Sequence, residues 1–182
     1  MERISMTLKE FERVGESIGP CELVEGEVVH MSPGGWIHNS ATSKIAVLIA
    51  NECDREKCGR MLTNESGLVT DSTKGTVRGV DVLYISYKRL AKGAGYAGFL
   101  RTPPELIIEV KGADDTWVNL KKKVDEYHKL GVDLVWLADP KTRTVRIYPN
   151  GGKPILKHDQ EMIDGGAALP KFKCKIERFF ED

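Results

Sequence analysis

Leu106-Ile107-Ile108-Glu109-Val110-Lys111 sets aliphatic residues around a single carboxylate and ends on an ammonium. Side chains of a strand alternate between faces, so Glu109 and Lys111 project to one side while Ile108 and Val110 project to the other. An apolar run of this length reads as an interior strand covered on both faces, which calls for helices on both sides of a sheet. Residues 79–86 (GVDVLYIS) and 133–138 read the same way. Two long amphipathic stretches supply the cover. In residues 38–57, Ala41, Ile45, Leu48 and Ile49 share a face and Gly59 follows the end. In residues 116–130, the stripe is Trp117, Leu120, Val124 and Tyr127, with Asp114 or Asp115 as the expected cap and Gly131 as the stop.

Outward from this centre, residues 7–16 predict a first helix capped by Thr7 with Glu10 three residues on. Residues 21–31 predict a hairpin turning at Glu25-Gly26, and residues 60–70 one or two strands. After the turn at 139–142, residues 144–148 return as a strand, and the tail alternates around Phe172, Cys174 and Ile176. The expected fold is α/β: a central mixed β-sheet flanked by helices, with an extra N-terminal helix and hairpin and extra C-terminal strands. One domain over residues 1–182 is expected.

Composition narrows the function. The 182 residues carry 27 Lys plus Arg and 27 Asp plus Glu, so the formal net charge is zero. That excludes a domain that grips nucleic acid by bulk charge, though not a local basic patch. No apolar run reaches the roughly 18 residues of a membrane span, and the N-terminus lacks the apolar core of a signal peptide. Cys21, Cys53, Cys58 and Cys174 form no C-x-x-C pair, so free thiols and a cytoplasmic location are expected. Gly93-Ala94-Gly95-Tyr96-Ala97-Gly98 matches G-x-G-x-x-G, but it opens no helix before Pro103-Pro104 and reads as a loop. With no phosphate loop either, no nucleotide cofactor is expected.

The chemistry gathers on the interior strands. An ionised group inside a sheet costs several kcal/mol unless it is paired or holds a metal. Asp81 lies in the strand at 79–86, and if that strand neighbours 106–111, Asp81 and Glu109 converge at one sheet end. Two convergent carboxylates form a hard oxygen site for Mg²⁺ or Mn²⁺, and an adjacent lysine offsets charge on a phosphate. The order Asp81 … Glu109-x-Lys111 is the signature of the PD-(D/E)XK nuclease superfamily. The surrounding text is more specific. Glu22-Leu23-Val24-Glu25-Gly26-Glu27-Val28-Val29-His30-Met31-Ser32-Pro33, His38, Val80-Asp81-Val82 and Pro103-Pro104-Glu105-Leu106-Ile107-Ile108-Glu109-Val110 are followed by Lys123-Val124-Asp125-Glu126-Tyr127, Gly131-Val132-Asp133-Leu134-Val135-Trp136-Leu137-Ala138-Asp139-Pro140 and a closing Arg178-Phe179-Phe180. In that order they resemble the Uma family of restriction-endonuclease-like proteins, over nearly the whole chain.

The resemblance implies a restriction-endonuclease-like core, metal-binding carboxylates at Asp81 and Glu109, and a catalytic lysine at Lys111. Val80 stands where the pattern has proline, and Lys111 where many members have a small residue. Lys123, four residues from Tyr127 and on its side of the stripe, is a further catalytic candidate, and the family pattern marks both positions. Glu22, His38 and Tyr127 are supporting candidates. A helix-edge lysine that snorkels, a structural histidine and a strand-edge acid are the plainer explanations for Lys123, His38 and Glu22. The reading is a Mg²⁺- or Mn²⁺-dependent DNA endonuclease, expected as a homodimer, with DNA met by Lys111, Lys123, Lys141, Arg143, Arg146 and Lys171, Lys173 and Lys175. The alternative is a catalytically silent module, binding nucleic acid or protein on a nuclease fold.

Overall fold

A computed structural model describes residues 4–94 and 98–181. Gly95, Tyr96 and Ala97 of the glycine-rich stretch lie outside the described residues. The chain opens with α1 (Leu8–Val14), where Thr7 and Glu10 form the capping box that the sequence predicts. The hairpin follows as β1 (Cys21–Val24) and β2 (Glu27–His30). Its turn places Glu25 at φ 50° and Gly26 at φ 82°, the left-handed pair that a two-residue hairpin loop requires. Next come α2 (Trp36–Glu56), β3 (Gly59–Asp71), β4 (Thr76–Ser86) and β5 (Leu106–Val110). Then α3 (Trp117–Leu130), β6 (Leu134–Asp139), β7 (Thr144–Pro149), β8 (Ile155–His158), β9 (Met162–Gly165) and β10 (Leu169–Lys175) complete the order.

The main sheet has eight strands, ordered β2-β1-β4-β5-β6-β7-β8, with β3 also paired to β4. β5 and β6 run parallel, joined across α3, and the other ladders are antiparallel, so the sheet is mixed. The period of two divides the central strands cleanly. Leu106, Ile108, Val110 and Trp136 pack under Ala41, Ile45 and Ile49 of α2. Ile107, Val135 and Leu137 pack under Leu120, Val124 and Tyr127 of α3. β9 and β10 form a second small sheet, from which Phe172 reaches Trp136 at a centroid distance of 5.8 Å. Among the described residues no helix is long and apolar enough to cross a membrane.

Boundaries shift where local chemistry wins. α2 starts two residues before His38, with Gly35 as its N-cap. The cap of α3 is neither Asp114 nor Asp115. Thr116 accepts the Asn119 N–H at 3.2 Å, while Asp115 Oδ2 accepts the Gly112 N–H at 2.8 Å and so fixes the chain leaving β5. A hydroxyl immediately before the first helical residue outcompetes a carboxylate that is one residue too early. Residues 60–70 form one strand, not two, although its register with β4 breaks between Thr63 and Ser66, where Asn64 (φ 67°) and Glu65 (φ 54°) turn left-handed. β8 and β9 escape the sequence pattern: Ile155 and Leu156 are both half-exposed, so no alternation marks the first of these strands.

Ile45 is fully buried between α2 and the sheet, whereas Val47, two positions on, is 58% exposed. Ile45→Ala is expected to lower the unfolding free energy by about 2–5 kcal/mol and Val47→Ala by under about 0.5 kcal/mol. Urea denaturation of the two variants checks this.

Candidate active site

Val82 pairs with Ile108 and Leu83 with Ile107 in the antiparallel ladder of β4 and β5. Extended by one step, this register sets Asp81 opposite Glu109, and directly opposed residues have Cβ atoms about 4.5–5.5 Å apart. The Asp81 side chain finishes the ladder: its Oδ2 accepts the Val110 N–H at 2.7 Å. The same oxygen lies 3.4 Å from His38 Nε2, which the first turn of α2 brings over the sheet end. Glu109 faces α3, where the Tyr127 hydroxyl donates to its Oε1 at 2.5 Å. Both carboxylates are buried.

A polar network adjoins this pair. Glu22 on β1 is buried, and its Oε1 accepts from Lys123 Nζ at 2.9 Å and from the Gly79 N–H at 3.2 Å. Its Oε2 accepts from Arg78 at 2.9 Å, and Arg78 also forks onto both oxygens of Glu126, which Thr70 caps. Lys123 and Glu126 are one helical turn apart on α3, so the network ties that helix to β1 and β4.

Burial dominates the electrostatics of the site. Burial pushes the Glu109 carboxyl up to about 8. Asp81 and Glu22 add to that rise, and Lys123 and the Tyr127 hydroxyl oppose it. Glu65, at the left-handed bend of β3, is raised to about 7 by desolvation and then by Asp81. Although the residue as a whole is exposed, its carboxylate folds inward over Gly79, with Oε2 2.5 Å from where a Cβ on that glycine would stand. The hydrogen bond to Asp81 holds His38 protonated up to about 9, against its burial. Burial disfavours the Lys123 ammonium, but Glu109 and Glu22 more than reverse this and raise its pKa. A charged lysine and a charged histidine therefore stand beside two carboxyls, Glu109 and Glu65, whose ionisation is disfavoured.

Such a donor set suits a hard divalent cation. Among the described residues no three His, Cys, Asp or Glu side chains stand close enough to enclose a metal ion by themselves. Mg²⁺ needs no such cage, since in phosphoryl-transfer sites it takes one or two carboxylates and fills its sphere with water and phosphate oxygens. Asp81 and Glu109 are the residues that would hold it.

The sequence-predicted residues do not all gather. Asp81, Glu109, Lys123, Tyr127, Glu22 and His38 come together. Lys111 stands apart: it is half-exposed, and its Nζ turns to the Gly112 carbonyl at 3.2 Å. The lysine acting on Glu109 comes from α3 instead. Several proposed DNA contacts have partners within the chain. Arg143 bonds to Asp159 and the Phe180 carbonyl, and the Arg146 guanidinium lies 4.0 Å from the centroid of Trp117. Lys171 pairs with Glu56 at the C-terminal end of α2, which helical rise puts about 27 Å from His38. Sequence reasoning misses Arg78, Glu126 and Glu65. Arg78 lies on the opposite parity of β4 from Asp81, and Glu65 arrives only through the bend in β3. Its one sequence signal is Asn64, a residue type that tolerates the left-handed region.

The family model Uma2, described as "Putative restriction endonuclease", matches residues 8–177. Among solved structures, the chain is similar to one described as a putative nuclease belonging to DUF820 from Anabaena variabilis ATCC 29413. The likeness has a TM-score of 0.81 at 17% identity and covers 96% of this chain and 97% of the other, a likeness of fold. No curated protein matches the chain.

The raised Glu109 pKa makes stability depend on pH. The folded state holds a proton that the unfolded chain releases near its ordinary value, so stability falls as pH rises from about 4.5 to about 8. Glu109→Gln removes that slope. Thermal melts of the metal-free protein are expected to show the variant gaining on wild type between pH 5 and pH 9, by an amount on the order of 1 kcal/mol or more.

Proposed function

Because the chain belongs to the Uma2 family, described as "Putative restriction endonuclease", and because Asp81 and Glu109 oppose each other beside Lys123, we propose a divalent-metal-dependent DNA endonuclease. Family and fold indicate a restriction-endonuclease-like nuclease. The finer reading is carried by one observation: two buried carboxylates from adjacent strands, with the Lys123 ammonium, bonded to Glu22, close enough to lower the Glu109 pKa. Mg²⁺ or Mn²⁺ held there would supply a Lewis acid at the phosphoryl oxygen and a bound water of lowered pKa.

The chain's own groups divide the remaining work. Tyr127 fixes the rotamer of Glu109 by donating to Oε1. Glu22 holds the Lys123 ammonium in place. Because its acidic neighbours keep Lys123 protonated, it serves as a fixed positive charge for the phosphate in the transition state and not as a general base. His38 bonds Asp81 from the opposite side. Lys111 and the exposed Lys141 follow the ends of the parallel strands β5 and β6 and would meet the DNA backbone. Zero net charge in the chain argues for weak non-specific DNA binding, or for two copies that together make one basic cleft.

Plasmid nicking in Mg²⁺ or Mn²⁺ tests this. Asp81→Ala and Glu109→Ala are expected to lower the rate about 100-fold or more, and Lys123→Ala by a similar factor. Lys111→Ala is expected to weaken DNA binding with a smaller effect on the saturated rate. Variants of Asp81 and Glu109 that nick as fast as wild type would remove the proposed centre.

A further inference from the structure

Beside the carboxylates lies a half-open cavity of about 140 Å³ that the proposed mechanism does not use. Its walls are Phe11, Phe99, Met31, Cys21 and Val77, with glycines at 15, 19, 67 and 79. Phe11 and Phe99 stack on each other at 5.4 Å between centroids and close one side. The glycines matter to its shape. The Phe99 ring fills the space that a side chain at Gly67 would need, and the Glu65 carboxylate does the same at Gly79. Gly79 is two residues from Asp81 on β4, so one wall of the cavity comes within two residues of the proposed catalytic pair.

The lining selects the ligand class. Among the described residues that line it, Glu65 is the one Asp, Glu, Lys, Arg or His. A carboxylate facing inward repels a phosphate, and an apolar wall gives a cation no further ligand. What fits is a flat, uncharged ring that offers one hydrogen-bond donor. A cavity of roughly 150 Å³ is enough for one benzene ring, so a heteroaromatic ring is admitted while its sugar and phosphate remain outside. Enzymes that draw a base out of its stack hold it in such an apolar slot and read its edge by hydrogen bonds. A carboxylate accepts from an exocyclic amino group.

We propose that this cavity receives one amino-bearing nucleobase of the nucleic-acid substrate, unstacked from its neighbours, with the Glu65 carboxylate accepting from its amino group. The proposal rests on the nuclease reading, because the base arrives on a strand whose phosphate lies at Asp81 and Glu109. It adds that the substrate is single-stranded, or is opened, at the position of cutting.

Fluorescence anisotropy tests this with labelled single strands in EDTA, where no cutting occurs. Oligocytidine, oligothymidine and an abasic strand of equal length carry the same phosphate charge and differ in the bases. Wild type is expected to bind oligocytidine about tenfold more tightly than the abasic strand, in the range set by stacking one base, with oligothymidine between them. Cys21→Phe, which fills the cavity, and Glu65→Ala, which removes the acceptor, should bring oligocytidine down toward the abasic level. Circular dichroism checks that each variant folds, and Glu65→Ala carries the test alone if Cys21→Phe does not. Equal binding of all three strands, no binding at all, or variants indistinguishable from wild type would overturn the cavity's role. Metal-dependent nicking of plasmid DNA by wild type, set beside the binding of the three strands, separates the two readings. Cutting without any preference among the strands leaves the nuclease and removes the base slot. Preference without cutting leaves the base slot and removes the nuclease.

Discussion

Negative charge buried at a sheet end is the constraint around which this molecule is arranged. Glu22, Asp81 and Glu109 are all buried, and Glu65 folds its carboxylate toward them. Isolated, such groups would cost several kcal/mol each. The fold answers with Lys123 and Arg78 on Glu22, Tyr127 on Glu109, and His38 and the Val110 N–H on Asp81. These partners come from β4, β5, α2 and α3, so the elements that build the sheet and cover it also neutralise the site. A penalty nevertheless remains: burial, with Asp81 adding to it, keeps the Glu109 and Glu65 carboxyls raised. A divalent cation is the species that would relieve it.

Much of the scaffold is legible in the sequence because it follows from short-range rules. The alternation of Ile107, Ile108, Glu109 and Val110 predicts a strand covered on both faces, and α2 and α3 do cover it. The Thr7–Glu10 box and the turn at Glu25-Gly26 are readable from residue types alone. The spacing of Lys123 and Tyr127 on one helix brings out two members of the polar cluster that a strand motif cannot contain. The small sheet of β9 and β10 is only half visible, since β9 exposes every second residue and joins the core through Ile163.

The parts that escape depend on three dimensions. Lys111 and Lys123 are both reasonable partners for Glu109 on paper. In the fold the Lys111 ammonium donates to the Gly112 carbonyl, while Lys123 bonds to Glu22 and lowers the Glu109 pKa. Glu65 needs a register break in β3 and two left-handed residues before it can face Asp81. Arg78 acts through Glu22 and Glu126, partners 56 and 48 positions away in sequence, and no local pattern announces such a pairing. The basic residues do not read as one surface from the sequence: Arg143 pairs with Asp159, the Arg146 guanidinium lies over Trp117, and the exposed Lys171 pairs with Glu56.

The central claim is that Asp81 and Glu109 jointly bind a divalent cation. Isothermal titration of the metal-free protein with Mn²⁺ at pH 7, repeated in buffers of different ionisation enthalpy, measures ion binding and proton release together. The account predicts one ion per chain, a proton released on binding because Glu109 is protonated below about 8, and loss of the binding in Asp81→Ala and Glu109→Ala. Absence of binding in wild type, or unchanged binding and proton release in Glu109→Ala, would contradict it.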